Sequence, residues 1–170
     1  MRLITITGPS GAGKDTVARM ISDMTGWPVV CSYTTRPMRE GEQEGREHHF
    51  VKTRDVPLSE MLAYTKYGGY EYWTTKEQIK DTAIYVIDED GLRTLCSHFP
   101  ELPMTHIYIV CSKEARRARG ISEERMARDE SRHLLPISFY NIHLENSCND
   151  MKKLKMAVNS IVGCLKPNII

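Results

Sequence analysis

The chain has 170 residues, with 23 Lys and Arg against 22 Asp and Glu, so its formal net charge at pH 7 is only +1. A hydrophobic content of 41% and a charged content of 26% are typical of one folded domain and exclude a largely disordered chain. The balanced charge predicts neither a nucleic acid nor a membrane partner, although a local cationic site is compatible with it.

The five cysteines are scattered along the chain, and no two form a C-x-x-C pair: Cys31, Cys96, Cys111, Cys148 and Cys164. This pattern argues against a disulfide framework or a zinc site and predicts a reducing, cytoplasmic location. No apolar stretch approaches the roughly 20 residues that cross a bilayer, and no secretory leader is expected.

The first elements alternate between strand and helix. Residues 3–7 are β-branched or aliphatic and predict a strand. Residues 13–25 carry apolar side chains at helical spacing, and Gly26 closes that helix. Residues 29–32 predict a second short strand.

A polar tract over residues 33–47 precedes a predicted helix over residues 57–67. Leu58, Met61 and Leu62 have helical spacing in that segment, and Pro57 suits a first helical turn. The following Gly-Gly pair is expected to end the helix.

The second half of the chain continues the alternation. Residues 84–87 and 107–110 are apolar on both faces, as in a parallel sheet covered by helices on both sides. Residues 122–133 predict a charged helix, residues 142–146 a weak strand and residues 151–165 an amphipathic helix. The sequence therefore predicts a doubly wound α/β domain with five parallel strands flanked by helices.

A phosphate-binding loop is predicted where the first strand meets the first helix, because residues 8–14 read G-P-S-G-A-G-K. Such a loop turns its backbone N–H groups towards phosphate oxygens, and Lys14 would reach the β- and γ-phosphates. The predicted ATP ligands in and beside this loop are Gly8, Ser10, Gly11, Ala12, Gly13, Lys14, Asp15 and Thr16.

Magnesium is expected at this loop, because a transferring phosphoryl group needs its charge neutralised. Asp15 stands where the motif has the Ser or Thr that binds the metal, and Thr16 follows it. Asp15 could hold the ion directly or through water, or Thr16 could supply the polar contact. Asp88 ends a predicted strand and is a further metal candidate, although an acid there can also cap a helix. No N-K-x-D motif follows, which disfavours a GTPase.

The block S-Y-T-T-R-P-M-R-E-G-E over residues 32–42, followed by Gly45 and H-H-F-V over residues 48–51, resembles the guanylate kinase family. Further matching blocks follow in the same order: Y-E-Y-W-T over 70–74, I-D-E-D over 87–90, Arg119-Gly120 and Asn146. The resemblance implies a single P-loop kinase domain over residues 1–170. It divides the domain into a core (1–31 and 76–170), an acceptor-binding insertion (about 32–75) and a lid (about 116–128).

The resemblance implies ATP-dependent phosphorylation of a nucleoside monophosphate, with GMP or dGMP as the leading acceptor. Arg36 and Arg39 are expected to bind the acceptor phosphate, since guanidinium groups match phosphate geometry. Tyr72 and His48 would assist them, although His48 stands where the family has a tyrosine. Asn146 would bind ATP.

The resemblance also implies how the base is read. Ser32, Thr74 and Asp90 match the residues that contact guanine, whose N1–H and N2–H₂ donors suit carboxylates. A glutamate of the family falls on Ala63, and Glu60, one turn earlier on the predicted helix, could replace it.

Lid arginines are expected to close over both substrates. Arg119 and Arg125 align best with the family's arginines, and Lys14, Arg36, Arg119 and Arg125 are the predicted catalytic groups.

Three alternatives stay open. The acceptor could be another (deoxy)nucleoside monophosphate, or the chain could resemble a ribose 1,5-bisphosphokinase, whose loop also carries G-K-D. A non-catalytic guanylate-kinase-like binding module is a third alternative, and the intact loop over residues 8–14 argues against it.

Overall fold

The computed structural model describes residues 1–46, 48–79 and 81–166. Its central sheet has four parallel strands in the order β6-β1-β7-β8. These strands are β1 (Arg2–Thr7), β6 (Thr82–Val86), β7 (Met104–Val110) and β8 (Ile142–Glu145). Each predicted strand of this sheet is present, except that the strand over residues 29–32 is reduced.

That fifth strand is only a bridge at the edge of the sheet. Val29 pairs with Ile84 in parallel, the Val30 N–H donates to the Ile84 carbonyl at 2.8 Å, and the Ile84 N–H donates to the Pro28 carbonyl at 2.9 Å. The chain then leaves the edge, because Tyr33 pairs with Trp73 in a second sheet.

Helices cover both faces of the central sheet, as predicted. On one face, α1 (Lys14–Thr25) and α5 (Met151–Leu165) pack against Ile4 and Ile6 of β1. On the other face, α2 (Glu89–His98) packs against Leu3. The fold class is therefore confirmed as an α/β layer structure, since neighbouring residues of β1 are buried on opposite sides.

The second sheet has the strand order β3-β2-β5-β4. It is formed by β2 (Tyr33–Thr34), β3 (His49–Phe50), β4 (Met61–Tyr67) and β5 (Tyr70–Thr75).

The prediction of a helix over residues 57–67 is wrong. Only Leu58–Glu60 form a short 3-10 turn, and β4 and β5 form an antiparallel hairpin. Gly68 and Gly69 close that hairpin with φ values of 59° and 81°, which a two-residue turn with primed geometry requires. The apolar spacing that resembles a helix instead arises because β4 buries Leu62 and Ala63 against the same cluster as α2.

Two short helices lie between β7 and β8: α3 (Lys113–Ala118) and α4 (Glu123–Glu130). Ser112 and Ser122 cap them, each accepting a hydrogen bond from a first-turn N–H group. Within the described part of the chain, no helix combines the length and apolar character that crossing a membrane demands.

Candidate active site

The loop between β1 and α1 forms an anion-binding turn. Gly13 has a φ of 95°, and a Cβ there would lie 2.8 Å from the Asn146 side-chain nitrogen, so a larger residue would meet both strain and a clash. The N-cap residue of α1 is Gly13, which offers no side-chain acceptor to the first N–H groups of the helix. This geometry suits a phosphate group.

Lys14 begins α1 and folds back over the loop. Its ammonium group donates hydrogen bonds to the carbonyls of Gly8 at 2.8 Å and Pro9 at 3.1 Å. Burial lowers the pKa of Lys14, whereas the adjacent Asp15 carboxylate raises it. Backbone carbonyls of the loop therefore hold the Lys14 ammonium group, and Lys14 lines a cavity beside the loop.

The main cavity, so named because most of the predicted site residues line it, has a volume of about 490 Å³ and lies between the loop, the second sheet and α4. It brings predicted donor-site and acceptor-site residues together. The predicted residues that line it are Gly8, Ser10, Lys14, Asp15, Ser32, Arg36, Arg39, His48, Tyr72, Asp88 and Arg125.

Arg36 is the most constrained of the acceptor-side cations. It is 6% exposed, and its guanidinium donates to both carboxylate oxygens of Glu42, at 2.9 and 2.8 Å. Although burial opposes ionisation, the hydrogen bonds from Arg36 and from the Arg39 N–H lower the pKa of Glu42. The charged pair fixes the guanidinium at the cavity wall.

His48 lies between Ser32 and Tyr72. One ring nitrogen is 2.8 Å from the Ser32 hydroxyl, and the ring meets the Tyr72 ring edge-on at 5.6 Å. Burial lowers the pKa of His48, and the nearby Arg36 charge lowers it further. The histidine is therefore a neutral polar group at neutral pH, which keeps a second positive charge away from Arg36.

Four predicted site residues line a different cavity, of about 290 Å³, beside the loop: Gly13, Thr16, Arg119 and Asn146. Arg119 donates to the carbonyls of Gly11 at 2.9 Å and Asn146 at 2.7 Å. The Asn146 side chain donates to the Ala12 carbonyl at 2.8 Å. The structure thus separates Arg119 from the acceptor side and places it against the loop.

Thr74 and Asp90 are not at the main cavity. Thr74 is fully buried, with its hydroxyl donating to the Tyr85 hydroxyl at 3.1 Å. Asp90 is largely exposed and pairs with Arg93 at 2.8 Å. Asp88 lines the cavity instead, and its carboxylate caps α2 by accepting the Gly91 N–H at 2.7 Å.

Glu60 does not take the place of the missing glutamate. The segment before Ala63 is not helical, and Glu60 lines a separate cavity beside Trp73. Ala63 itself lines the main cavity from β4.

Sequence reasoning missed a group of buried charges beneath the loop. Asp129 accepts hydrogen bonds from the Ser10 N–H at 2.8 Å and the Ser10 hydroxyl at 3.0 Å, and it pairs with Arg116. Arg132 pairs with Glu89 at 3.4 Å and lines the main cavity. The nearest sequence signal was the i, i+3 spacing of Asp129 and Arg132, which is also common on solvent-exposed helix faces.

The residues at the main cavity fit a magnesium ion bound together with phosphate. Asp15 and Asp88 both line it and offer carboxylate oxygens, and Mg²⁺ is usually held by one or two carboxylates, phosphate oxygens and water. Thr16 fits less well, because it lines the other cavity.

The family model described as guanylate kinase matches residues 1–157. A guanylate kinase of Dechloromonas aromatica is 36% identical over 110 residues, which are 58% of this chain and 54% of the relative, so that match spans about half the relative's length. A guanylate kinase of Fusobacterium nucleatum is 26% identical over 88% of this chain and 92% of its own.

A solved structure has the same fold. The crystal structure of guanylate kinase from Anaplasma phagocytophilum superposes with a TM-score of 0.72 at 23% identity and covers 98% of this chain and 87% of that chain. Taken with the match to the family model over residues 1–157, the chain belongs to the guanylate kinase family.

Proposed function

We propose that this protein is a nucleoside monophosphate kinase that transfers the γ-phosphoryl group of ATP to an acceptor monophosphate, with GMP or dGMP as the leading acceptor. The observation that carries the proposal is the main cavity, which has a phosphate-binding loop with Lys14 at one side and the paired Arg36 at the other. A cleft with a cationic group at each side suits two phosphate-bearing substrates held end to end.

On the donor side, the uncapped start of α1 and Lys14 would hold the ATP phosphates. The second cavity, with Thr16, Arg119 and Asn146, would take the nucleoside part of ATP. In this arrangement Arg119 supports the loop by donating a hydrogen bond to the Gly11 carbonyl. Arg119 would then contact ATP and would not have the direct catalytic role that was expected from the sequence.

On the acceptor side, Arg36 would bind the acceptor phosphate, with Arg39, Tyr72 and the neutral His48 around it. Glu42 supports this role, because two parallel hydrogen bonds hold the guanidinium plane in one orientation. The second sheet would act as the acceptor-binding insertion over residues 32–75, and residues 116–128 as the lid.

The transfer itself needs no general base, because the acceptor phosphate is already ionised. Positioning and charge neutralisation then account for catalysis. Arg125 is placed for such charge neutralisation, because its side chain lines the cavity. Its buried Nε has no hydrogen-bond partner among the described residues, so this group could donate to a phosphate oxygen. Mg²⁺, held by Asp15 and Asp88, would supply neutralisation of the phosphate charge when bound.

The base end of the cavity favours a second candidate acceptor alongside GMP. Ala63 and Thr65 line it from β4, a strand that carries no Asp or Glu. A site without a carboxylate on this strand discriminates less sharply among bases, so another (deoxy)nucleoside monophosphate is the alternative substrate.

The test is ADP release measured in a coupled assay with ATP and Mg²⁺. The acceptors are GMP, dGMP, AMP, dTMP, dCMP and ribose 1,5-bisphosphate, and Lys14→Ala serves as the inactive control. Release that depends on GMP or dGMP supports the proposal. Release only with ribose 1,5-bisphosphate would identify the bisphosphokinase alternative, and release with none, despite normal ATP binding, would favour a binding module.

A further inference from the structure

Arg132 reaches the main cavity although it belongs to none of the motifs above. It follows α4, and its N–H donates to the Asp129 carbonyl at 3.3 Å. Its side chain is only 18% exposed, yet it lines the same cavity as Lys14 and Arg125. A largely buried guanidinium that lines the cavity is placed to contact a ligand bound there.

Two buried carboxylates from different elements lie beside the Arg132 guanidinium. Arg132 lies 3.4 Å from Glu89, at the start of α2, and 3.8 Å from Asp129, on α4. These carboxylates are 3% and 5% exposed. Asp129 also holds Ser10, so the same group connects Arg132 to the phosphate-binding loop.

Lys14, Arg125 and Arg132 line one cavity, where removal from water strengthens the interactions between charges. Burial is the main cause of the lowered pKa of Lys14; the Asp15 carboxylate raises this pKa, and the positive charge of Arg132 lowers it further. A phosphate group in the cavity would give these cations a shared anionic partner.

We infer that Arg132 is a further catalytic residue, which contacts the phosphoryl group as it transfers, and that Glu89 is its positioning residue. The inference rests on the proposed function. In the step, the bond from the β,γ-bridging oxygen to the γ-phosphorus breaks and its electron pair stays on ADP. An oxygen of the acceptor phosphate forms the new bond to that phosphorus. Arg132 transfers no proton and stabilises the negative charge on the group in transit.

The experiment compares Arg132→Met, Arg132→Lys and Glu89→Gln. Lys113→Met is the matched control, since it removes a cation that pairs with Glu130 on the exposed side of α4. For each variant, kcat, both KM values, the Kd of ATP and of ADP, and Tm are measured.

Arg132→Met should lower kcat by about 100-fold and weaken ATP binding several-fold more than ADP binding, because only ATP carries the group that is transferred. Arg132→Lys should have a kcat about tenfold higher than Arg132→Met, since lysine keeps the positive charge but cannot donate two parallel hydrogen bonds as a guanidinium does. Glu89→Gln should lower kcat by a smaller factor, and Lys113→Met should match the wild type.

Equal weakening of ATP and ADP binding by Arg132→Met, with kcat within about twofold of the wild type, would overturn the inference and leave Arg132 a structural ion-pair member. If Arg132→Met does not fold, Arg132→Lys decides by the same ratio of the two affinities, and an unchanged ratio overturns the inference. If the wild type phosphorylates no monophosphate, the proposed function fails, whereas the ATP-to-ADP affinity ratio still tests Arg132.

Discussion

The carboxylate of Asp129 accepts hydrogen bonds from both the N–H and the hydroxyl of Ser10, at 2.8 and 3.0 Å. Ser10 lies in the phosphate-binding loop, and Asp129 lies 119 residues later on α4. Arg116, from α3, pairs with the same carboxylate and donates to the Ser10 carbonyl at 2.8 Å. The loop conformation is therefore set by side chains of the predicted lid region as well as by its own glycines.

Asp129→Ala should lower the free energy of unfolding by about 3–5 kcal/mol, because it leaves the buried Arg116 charge without its partner. Glu130→Ala is the control. It breaks an exposed pair with Lys113 and should cost less than about 1 kcal/mol. Denaturant unfolding at pH 7 measures both, and equal losses in the two variants would contradict the importance of the buried pair.

Lys14→Ala should abolish detectable phosphoryl transfer while the protein remains folded. The lysine donates two hydrogen bonds to backbone carbonyls of its own loop, so little of the core depends on it. Activity and Tm measured on the same preparation test this, with Lys113→Met as the control. Near-normal turnover with normal ATP affinity would show that the donor site lies elsewhere.

Arg36→Ala should raise the acceptor KM and lower kcat/KM by about 2–4 kcal/mol of transition-state free energy, with little change in ATP affinity. Glu42→Gln should have a smaller effect in the same direction, because it keeps one of the two acceptor oxygens that hold Arg36. Steady-state kinetics with varied acceptor and fixed ATP separate the two substrates. An unaffected acceptor KM in Arg36→Ala would remove Arg36 from the acceptor site.

The lowered pKa of His48 predicts that the free energy of unfolding changes with pH. Burial first, and then the charge of Arg36, lowers its pKa in the folded state below the usual 6.5. The folded state therefore binds this proton less readily than the unfolded state. The stability that His48 contributes is present above about pH 6.5 and is lost as the pH falls through the lowered folded-state value.

His48→Gln should accordingly lose less stability than the wild type when the pH falls from about 7 to about 5. His106, whose pKa burial also lowers, contributes equally to both proteins and cancels in the comparison. Parallel pH profiles of the free energy of unfolding would mean that His48 titrates as it does in the unfolded chain.

The elements that local patterns specify were predictable. The loop over residues 8–14 needs its glycines and Lys14 in sequence, and β1 and α1 differ in the spacing of their apolar residues. The segment Met61–Tyr67 was not, because its apolar spacing fits a helix and only the pairing with β5 makes it a strand. The exposed position of Asp90, which was predicted to contact the base, also needed the structure, since the start of α2 turns Asp88 towards the cavity and Asp90 to solvent.

Non-local charge pairs were beyond sequence reasoning altogether. Glu89 and Arg132 are far apart in sequence, and an isolated arginine after a charged helix is usually solvated. Glu89 begins α2 and Arg132 follows α4, so their contact depends on how the chain folds as a whole, which no local pattern encodes.

Base selectivity is the last prediction, and it depends on Ala63. This residue is 3% exposed, lies on β4 and lines the main cavity, where its family has a glutamate. A hydrogen bond from a ligand to a charged group is worth about 1.5–3 kcal/mol, so its absence should relax selectivity by roughly ten- to a hundredfold. The wild type should therefore phosphorylate a monophosphate whose base is not guanine as well as GMP, and Ala63→Glu should increase the preference for GMP. Ala63→Gln is the matched control, because it has nearly the same size without the charge. The measurement is kcat/KM for GMP, dGMP, AMP, dTMP and dCMP in all three proteins. Strict GMP selectivity in the wild type, unchanged in Ala63→Glu, would mean that guanine is read without a carboxylate at this strand.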